Sequence, residues 1–492
     1  MAANRFSTRS ARPSPARARP GATAVLAPGD NGRVTHPGAQ VSDSTVHEPP
    51  PTSTDVLVVG AGPAGSAAAA WAARAGLDVL LADRAVFPRD KACGDGLTPR
   101  AVAELRRLGL GPWLAGRPAN WGLRAAGFGQ ELYLPWPGGS LPAHGSAVPR
   151  TELDATIRDV ALAGGARALQ GAQAVDVVRD GGRVTGVVFS RDGQTFTVGC
   201  RRLVVADGAR SQLGRVLGRE WHRDTAYGVA VRGYVDSARS TDPWISSHLE
   251  LRGADRELLS GYGWVFPLGG GQVNIGVGTL ATSRRPADVA LRPLLGVYTD
   301  QRREDWRLSG PVRAPWSALL PMGGAVSGVA GPNWAFVGDA AGCVNPLNGE
   351  GIDYGLETGR LVVDLLTGTL VTGTEDLTDA WPAVLREHYG EAFSIARRLA
   401  GLITVPGLLP AAGPVGMRSR ALMTLALRLM GNLVTPQDAD VVARLWRGAG
   451  RVSSLVDPRP PFSAARPGRA TARRTARRAA PPRQPVSAAA AR

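Results

Sequence analysis

The sequence predicts an α/β fold: a parallel sheet with flanking helices, an inserted antiparallel sheet, and a C-terminal helical region. Three observations predict it. An apolar strand at Val56–Val59 leads through a glycine-rich turn into an alanine-rich helix at Pro63–Ala75 and a second strand at Val79–Ala82. That order is typical of a parallel sheet. Residues 225–310 contain alternating runs typical of antiparallel strands, and from about Glu350 the pattern becomes helical.

The positive charge of the chain is concentrated at its ends. The 492 residues carry a net charge of +16, and residues 1–53 and 458–492 together hold twelve of those charges. We expect both segments to be disordered tails, because sequences rich in Ala, Pro, Arg and Ser bury too little apolar surface to offset the entropy cost of ordering. The remaining body is close to neutral, so we do not expect a nucleic-acid partner.

The patterns divide the ordered part into two regions. Residues 54–375 are expected to form a discontinuous nucleotide-binding domain, in which segments at about 111–147 and 222–312 build a substrate domain. Residues 376–450 are expected to form the helical region. Within it, Arg418–Leu433 combines Leu and Met with arginines. This fits either a basic amphipathic helix on a membrane surface or an ordinary core-facing helix.

A glycine-rich turn joins the first strand to the first helix. It reads Gly60-Ala61-Gly62-Pro63-Ala64-Gly65, and Asp83 ends the next strand. In a GxGxxG turn the first glycine permits the tight bend, the second lets the backbone approach a pyrophosphate, and the third lets helix and strand pack closely. The phosphates then meet the helix N-terminus at Pro63 and Ala64. The sequence therefore predicts a Rossmann-like dinucleotide site in which Asp83 accepts hydrogen bonds from a ribose.

Two later turns indicate which dinucleotide binds. Ala206-Asp207-Gly208 and Val337-Gly338-Asp339 each follow a strand, and the turn Asn345–Ile352 leads into a helix. They resemble the DG and GD fingerprints of the para-hydroxybenzoate hydroxylase-like (PHBH, or GR2-type) flavoprotein superfamily. The resemblance implies FAD as the cofactor, with Asp207 at the site and Asp339 on a ribitol hydroxyl. Amides at Gly349, Gly351 and Ile352 would face the flavin, where a helix N-terminus stabilises the negative charge of reduction.

Three segments resemble the geranylgeranyl reductase family. They are Phe87–Arg100, which contains Cys93-Gly94-Asp95-Gly96; Tyr262-Gly263-Trp264-Val265-Phe266-Pro267, which matches the family's YxWxFP; and the Asn345–Ile352 turn. Actinobacterial members are the most similar, and some of them reduce one double bond of the menaquinone side chain. The resemblance implies an FAD-dependent reductase that saturates carbon–carbon double bonds of an isoprenoid or prenylquinone by hydride transfer from flavin N5.

The predicted site residues follow from this reaction. Reducing an isolated alkene needs a hydride at one carbon and a proton at the other, and cation character builds on the more substituted carbon, where aromatic faces stabilise it. Tyr262, Trp264 and Phe266 alternate and so share one strand face; they are expected either to line the substrate tunnel or to form sheet core. Cys93 is expected beside the flavin, with a pKa that Lys91, the only lysine, lowers if it is adjacent. The proton donor stays open among Cys93, Tyr262 and bound water.

Predictions about the cofactor contacts, metals, electron supply and localisation complete the hypothesis. The predicted cofactor-binding set also includes Arg84, Cys93, Gly94 and Arg150, and no metal site is expected. Because no second dinucleotide turn of comparable quality is present, electrons are expected from NAD(P)H bound transiently or from a separate reductase protein. An N-terminus with arginines but no apolar core does not resemble a secretion signal. We therefore expect a cytoplasmic protein, with peripheral contact to the inner face of the membrane as an open alternative.

Three alternatives stay open at this point. A flavin hydroxylase or a flavin halogenase could share the fold, since fold does not fix function. Hydroxylases of the superfamily commonly have His shortly after the GD motif, where this chain has Gly342, and the first Trp of the halogenase WxWxIP signature is missing. A membrane- or nucleic-acid-associated binding protein with a vestigial flavin site is the third.

Overall fold

The computed structural model describes residues 51–287, 289–372, 376–405 and 407–464. Most of the two predicted tails, residues 1–50 and 465–492, lies outside the described residues. The strands of the described part are β1 Ser53–Val59, β2 Val79–Ala82, β3 Gly96–Leu97, β4 Ala119–Asn120, β5 Gly122–Gly127, β6 Gln130–Pro135, β7 Gly145–Ala147, β8 Arg167–Leu169, β9 Gln173–Asp180, β10 Arg183–Arg191, β11 Gln194–Val205, β12 Glu220–Trp221, β13 Tyr227–Ser237, β14 Trp244–His248, β15 Gly261–Pro267, β16 Gln272–Ala281, β17 Leu308–Leu320, β18 Val326–Ser327, β19 Ala330–Gly331 and β20 Trp334–Phe336. The helices are α1 Pro63–Arg74, α2 Pro99–Arg107, α3 Gly111–Ala115, α4 Arg150–Ala163, α5 Gln212–Leu217, α6 Leu291–Arg302, α7 Ile352–Thr372, α8 Leu377–Leu385, α9 Glu391–Ile403, α10 Leu408–Arg418, α11 Arg420–Met430 and α12 Val441–Leu455.

The first sheet has the order β19-β20-β11-β1-β2-β8, and its five strands from β20 to β8 run parallel. Strands β1 and β2 are buried on both faces, which explains their continuous apolar sequence. In the register, Val59 lies opposite both Ala82 and Val205, and Val205 lies opposite Phe336. The carboxyl ends of four parallel strands therefore meet at one edge, where α/β sheets bind their ligands.

Helices α1 and α7 pack against each other through small residues. A Cβ added at Gly359 would lie 2.5 Å from the Ala64 carbonyl oxygen, and one at Gly355 would lie 3.4 Å from the Ala64 Cβ. The two helix axes therefore approach more closely than larger side chains would allow. This contact places the N-termini of both helices at the same edge of the parallel sheet.

The second sheet has the order β17-β13-β16-β15-β14-β5-β6 and is antiparallel except for the β14–β5 pair. The predicted substrate segments supply most of it: β5 and β6 from 111–147, and β13 to β16 from 222–312. Strand β17 continues to Leu320, past the predicted end of the second segment. One face of this sheet packs on α6 through Val265, Leu294 and Tyr298.

The helical region extends further than predicted. Helix α12 ends at Leu455, and the chain stays packed after it: Phe462 is fully buried and its amide donates to the Gly324 carbonyl oxygen. The expectation that disorder begins at residue 458 is therefore wrong for residues 458–464. Among the described residues no single helix is long and apolar enough to cross a membrane, although the bent pair Leu377–Ile403 and Leu408–Arg418 satisfies that test by length and composition only.

Candidate active site

One cavity of about 600 Å³ connects the edge of the parallel sheet with the second sheet and the C-terminal helices. This volume lies in the range of small-molecule and cofactor sites. Eleven of the predicted cofactor-binding residues line it: Gly62, Pro63, Ala64, Cys93, Gly94, Arg150, Gly338, Asp339, Gly349, Gly351 and Ile352. The structure thus brings together the three turns that the sequence separates by almost 300 residues.

The glycine-rich turn has the geometry that its spacing predicts. Gly60 has φ +105°, and a Cβ there would lie 2.3 Å from the Ala206 carbonyl oxygen. A Cβ at Gly65 would lie 1.8 Å from the Gly60 carbonyl oxygen, so both glycines are required for packing behind the site and neither lines the cavity. At Gly62 the nearest atom to an added Cβ is 3.5 Å away. That atom is a guanidinium nitrogen of Arg89, and one of Arg150 follows at 4.0 Å, so the backbone of Gly62 faces two cations that suit a phosphate.

No side chain caps the N-terminus of α1. Gly62 is the N-cap residue, Pro63 follows it, and no acid lies in the first turn. The exposed amides and the positive end of the helix dipole then suit an anion such as a pyrophosphate. Asp83 lies beside this turn and accepts hydrogen bonds from the amides of Ala61 and Ala85 at 2.7 and 2.8 Å. Arg84 is exposed and does not line the cavity, which does not support its assignment to the cofactor.

Asp207 does not lie in the cavity either. Its carboxylate accepts hydrogen bonds from the Ser211 hydroxyl at 2.5 Å and from the Leu213 amide at 3.0 Å. Those groups start α5, so the side chain stabilises a helix N-terminus. Its neighbours Ala206 and Gly208 do line the cavity. The structure therefore corrects the assignment: the turn faces the site through its backbone, and the Asp207 carboxylate faces away.

Asp339 lies at the start of a second polar wall. Gly338 before it has φ +56°, and an added Cβ would lie 2.9 Å from the Ala64 Cβ. The Asp339 carboxylate forms an ion pair with Lys91 at 3.6 Å. Lys91 therefore pairs with Asp339 at that end of the cavity and is not the cation beside Cys93.

Cys93 lines the cavity beside a different cation. Burial raises the pKa of the Cys93 thiol and the nearby Asp95 charge adds to this, while the Arg150 guanidinium opposes it. The prediction that Lys91 lowers this pKa is wrong, because Arg150 is the adjacent cation and burial outweighs it. Arg150 is itself buried and makes two hydrogen bonds to Asp154, each 2.7 Å. The half-buried Cys93 stays a neutral thiol at neutral pH.

Tyr262, Trp264 and Phe266 all line the cavity, and Phe266 also packs against the core beside it, so the substrate-tunnel interpretation is favoured but stays a prediction. Their ring centroids are 5.9 and 6.2 Å apart in sequence order. The polar ends are fixed: the Tyr262 hydroxyl donates to the Asn348 carbonyl oxygen, and the Trp264 indole donates to Asn274 Oδ1. Val265, between them, points to the opposite face and joins the core. The stripe presents aromatic faces to the cavity.

The rings lie directly over the glycines of the Cys93 loop. A Cβ at Gly94 would lie 3.1 Å from the Phe266 ring and 3.3 Å from the Trp264 indole nitrogen, and one at Gly96 would lie 3.0 Å from Phe266. Side chains at these positions would push the rings back. The Cys93 loop and the aromatic strand, two of the segments that resemble the geranylgeranyl reductase family, therefore contact each other in the structure.

Sequence reasoning missed two parts of the site. Helices α10 and α11 close its apolar end, where α10 contributes positions with helical spacing: Leu409, Ala412, Gly413 and Gly416. The apolar character of α10 was visible in the sequence, but the sequence did not show that this helix packs over the cavity. The second part is Glu350, which lines the cavity and accepts a hydrogen bond from the Thr98 hydroxyl at 2.6 Å. Its place in the Asn345–Ile352 turn was a signal that could have found it.

These residues fit FAD. The uncapped helix α1 and the guanidinium groups of Arg89 and Arg150 at Gly62 suit the pyrophosphate. Asp339 suits a ribitol hydroxyl, and the N-terminus of α7 suits the flavin edge. Comparison with known proteins agrees. Residues 53–250 match the model of the FAD binding domain family. The chain is 64% identical over 413 residues to the menaquinone reductase of Mycolicibacterium smegmatis, which covers 84% of this chain and 100% of that protein.

The chain belongs to the geranylgeranyl reductase family of FAD-dependent oxidoreductases. A digeranylgeranylglycerophospholipid reductase of Methanopyrus kandleri is 30% identical over 363 residues, covering 71% of this chain and 90% of that protein. The solved structure of a geranylgeranyl bacteriochlorophyll reductase-like protein from Thermoplasma acidophilum has the same fold. It matches with TM-score 0.65 at 20% identity, covering 80% of this chain and 98% of that chain. These sequence relatives favour a reductase over the hydroxylase and halogenase alternatives.

Proposed function

We propose that this family member saturates a double bond in the polyprenyl side chain of menaquinone. The observation that carries the proposal is the single cavity, which runs from the FAD-binding turns past the aromatic stripe to the apolar walls of α10 and α11. An isoprenoid chain needs such a passage, because it has no polar group near the reacting bond. The high identity to a menaquinone reductase over that protein's full length supports menaquinone as the substrate.

The residues of the chain have separable tasks in this reaction. When bound and reduced, FAD supplies the hydride. The Gly62 turn and Asp339 bind and orient the cofactor, and the amides of Gly351 and Ile352 stabilise negative charge at the start of α7. The apolar walls exclude water, so the alkene is held without competing solvent. Arg150 is fixed by Asp154 and borders both the FAD region and Cys93.

The aromatic stripe stabilises the charge that develops on the alkene. Rings within about 6 Å of a cation attract it with roughly 0.5–2 kcal/mol each, without forming a bond to it. The Tyr262 hydroxyl and the Trp264 indole are held by hydrogen bonds to Asn348 and Asn274, so both rings keep a fixed position in the cavity wall. The three rings follow one strand, so they suit an extended chain.

We also propose that the protein contacts the inner face of the membrane through α9, α10 and α11. Large apolar side chains on these helices and their connection are exposed: Leu402, Val405, Leu408, Val415 and Leu422. Arg418 and Arg420, between α10 and α11, are exposed as well and suit anionic headgroups. The same helices line the apolar end of the cavity, so docking would place that end against the lipid that contains the substrate. Electron supply by NAD(P)H or a separate reductase stays a prediction.

The substrate proposal is tested under anaerobic conditions. The holoenzyme is reduced with dithionite and supplied in parallel with menaquinone in detergent and with geranylgeranyl diphosphate. We expect the side chain of menaquinone to gain two hydrogens, located on a prenyl fragment by tandem mass spectrometry after the ring has been re-oxidised in air, because dithionite also adds two hydrogens to the quinone ring. Reduction of the diphosphate alone would overturn the choice of menaquinone, and hydroxylation of an aromatic with oxygen consumption would overturn the reductase assignment.

The membrane proposal is tested by sedimentation with vesicles containing anionic lipid. Val415→Asp places a charge on the exposed face of α10 and is expected to release the protein from vesicles, while turnover of menaquinone in detergent persists. The matched control is Val178→Asp. Val178 is also exposed, but it lies on β9, which pairs with β10 in the first sheet. Equal vesicle binding by wild type and Val415→Asp would contradict the proposed surface.

A further inference from the structure

Glu350 occupies a distinctive position in the cavity wall. It lies between Gly349 and Gly351, two residues before α7 begins at Ile352, and lines the cavity with Thr98 and Tyr262. The Thr98 hydroxyl donates to Oε1 at 2.6 Å. The other oxygen, Oε2, is buried and has no hydrogen-bond partner among the described residues. A buried ionised carboxylate with one bare oxygen would carry a large desolvation cost, whereas a protonated one does not.

The surrounding charges also favour a proton on Glu350. The titratable groups that face it are Asp353 on α7, Arg100 on α2, Tyr262 on β15 and Tyr354 on α7. Asp353 is fully buried and is the neighbouring carboxyl group. The Asp353 charge raises the pKa of Glu350, so ionisation of Asp353 favours a proton on Glu350.

Arg100 decides which carboxyl group retains that proton. Burial raises the pKa of Asp353 to about 7, and Arg100 is the strongest influence that lowers it. Burial raises the pKa of Glu350 well above its ordinary value, and the Asp353 charge raises it further, against weaker lowering by Thr98 and Arg100. Burial and the Asp353 charge therefore hold the proton on Glu350 to a pH well above that at which an ordinary glutamic acid ionises, while Arg100 favours ionisation of Asp353.

The earlier candidates for proton donor are less suited to the task. The Tyr262 hydroxyl proton is engaged by the Asn348 carbonyl oxygen, and burial raises the pKa of that phenol. The Cys93 thiol has a raised pKa and accepts a hydrogen bond from the Asp95 amide at 3.3 Å. A carboxylic acid is intrinsically the stronger acid of the three, and only Glu350 has an oxygen without a partner.

We propose that Glu350 is the general acid that protonates the alkene, an inference that rests on the proposed reductase function. The π bond breaks as two C–H bonds form. One carbon takes the hydride with its electron pair, for which reduced FAD is the source. The other carbon takes the proton from the Glu350 carboxyl group, which is left as a carboxylate and regains a proton from water. Protonation runs ahead of hydride transfer, so positive charge builds on the carbon that then takes the hydride, and the aromatic stripe stabilises that charge.

The test compares Glu350→Gln with Glu391→Gln. Glutamine keeps the size of the side chain and an acceptor for Thr98 but has no acidic proton. Glu391 lies at the start of α9, where it pairs with Arg451 at the surface, so its replacement controls for loss of an acid. Two quantities are measured in FAD-loaded protein: anaerobic flavin re-oxidation coupled to side-chain saturation, with the substrate supplied as menaquinol so that its ring accepts no electrons, and the infrared band of protonated carboxyl groups at pH 8, above the pKa of Asp353.

We expect Glu350→Gln to bind FAD, to slow re-oxidation by about 10²- to 10⁴-fold, and to lose one protonated-carboxyl band. Glu391→Gln should keep both. Re-oxidation within threefold of wild type, or a band that persists in Glu350→Gln, would overturn the inference. A wild-type protein that is not re-oxidised by any isoprenoid would instead refute the reductase function, so the two failures are distinguishable.

A second variant keeps the inference testable if Glu350→Gln fails to fold. Thr98→Val removes the hydrogen bond that lowers the Glu350 pKa, so this pKa rises. Because the acid form is required, the rate falls as pH increases through this pKa, and the falling limb should move to higher pH in Thr98→Val. An unmoved limb would contradict the assignment.

Discussion

Replacing Gly276 with alanine should displace Trp264 without touching the FAD-binding turns. Gly276 lies on β16 directly opposite Trp264 on β15. A Cβ at Gly276 would lie 2.1 Å from the Trp264 ring. Carbon atoms pack at about 3.5–4.0 Å, so the indole must retreat by about 1.4 Å or the strands must separate. Because Trp264 is 6% exposed and lines the cavity, the ring has one open direction, which is into the substrate passage.

The expected effects of Gly276→Ala have two parts. Overpacking at a buried site costs about 1–3 kcal/mol of the free energy of unfolding. The shift also breaks the hydrogen bond from the Trp264 indole to Asn274, which contributes about 1 kcal/mol. A displacement of about 1 Å at a positioned group reduces turnover by roughly 10²-fold. FAD affinity should not change, since no FAD-binding turn contacts Gly276.

Gly278→Ala is the matched control. Gly278 is on the same strand, but its added Cβ would lie 3.6 Å from the Trp264 ring, which is ordinary contact. Chemical denaturation, FAD titration and anaerobic flavin re-oxidation by menaquinol are measured for both variants. Turnover of Gly276→Ala within twofold of Gly278→Ala would refute the role given to Trp264. Equal loss of FAD binding in the two variants would show that the stripe is not separable from the cofactor site.

The remaining predictions concern the cofactor, the thiol, the C-terminus and pH. Asp339→Ala should weaken FAD binding by about 10- to 100-fold by titration of the apoprotein, because a charged hydrogen bond is lost; an unchanged affinity would contradict this. Cys93→Ala should retain FAD but slow double-bond reduction, and unchanged turnover would remove Cys93 from the reaction. Phe462→Ala should lower the free energy of unfolding by about 3–5 kcal/mol, whereas deletion from residue 465 should leave it within error in parallel denaturation curves. Burial lowers the pKa of His248 to about 3, so the folded state binds fewer protons than the unfolded state. The free energy of unfolding therefore falls as the pH drops below about 6.5, by about 2 kcal/mol between pH 6.5 and 5. This pH dependence should be absent in His248→Gln.

The sequence predicted the parts of the site that local spacing specifies. Gly60, Gly62 and Gly65 have positions that follow from backbone geometry alone, and the strand ends that carry Asp83 and Asp339 follow from the parallel register. The aromatic stripe was predictable because alternation along a strand fixes a shared face. What alternation could not decide was which face looks into the cavity.

One prediction that went wrong depended on a local helix cap, and the other on contact between distant segments. Asp207 lies in the expected turn, but its carboxylate accepts hydrogen bonds from the nearby Ser211 hydroxyl and Leu213 amide instead of facing the cavity. Lys91 is two residues from Cys93, yet its ammonium group pairs with Asp339 and a different cation, Arg150, reaches the thiol. Side-chain direction of this kind depends on tertiary packing, which neither motif nor composition contains.

The most direct test locates the isoprenoid chain of the substrate in the protein by photolabelling. A menaquinone analogue with a photoreactive diazirine at the end of its side chain is bound to the FAD-loaded protein, irradiated, and mapped by peptide mass spectrometry. The account predicts labelling on α10 or α11, around Met417 and Met423, which line the apolar end of the cavity, with loss of label when unmodified menaquinone is added. Labelling confined to other parts of the chain, or labelling that menaquinone does not displace, would contradict it.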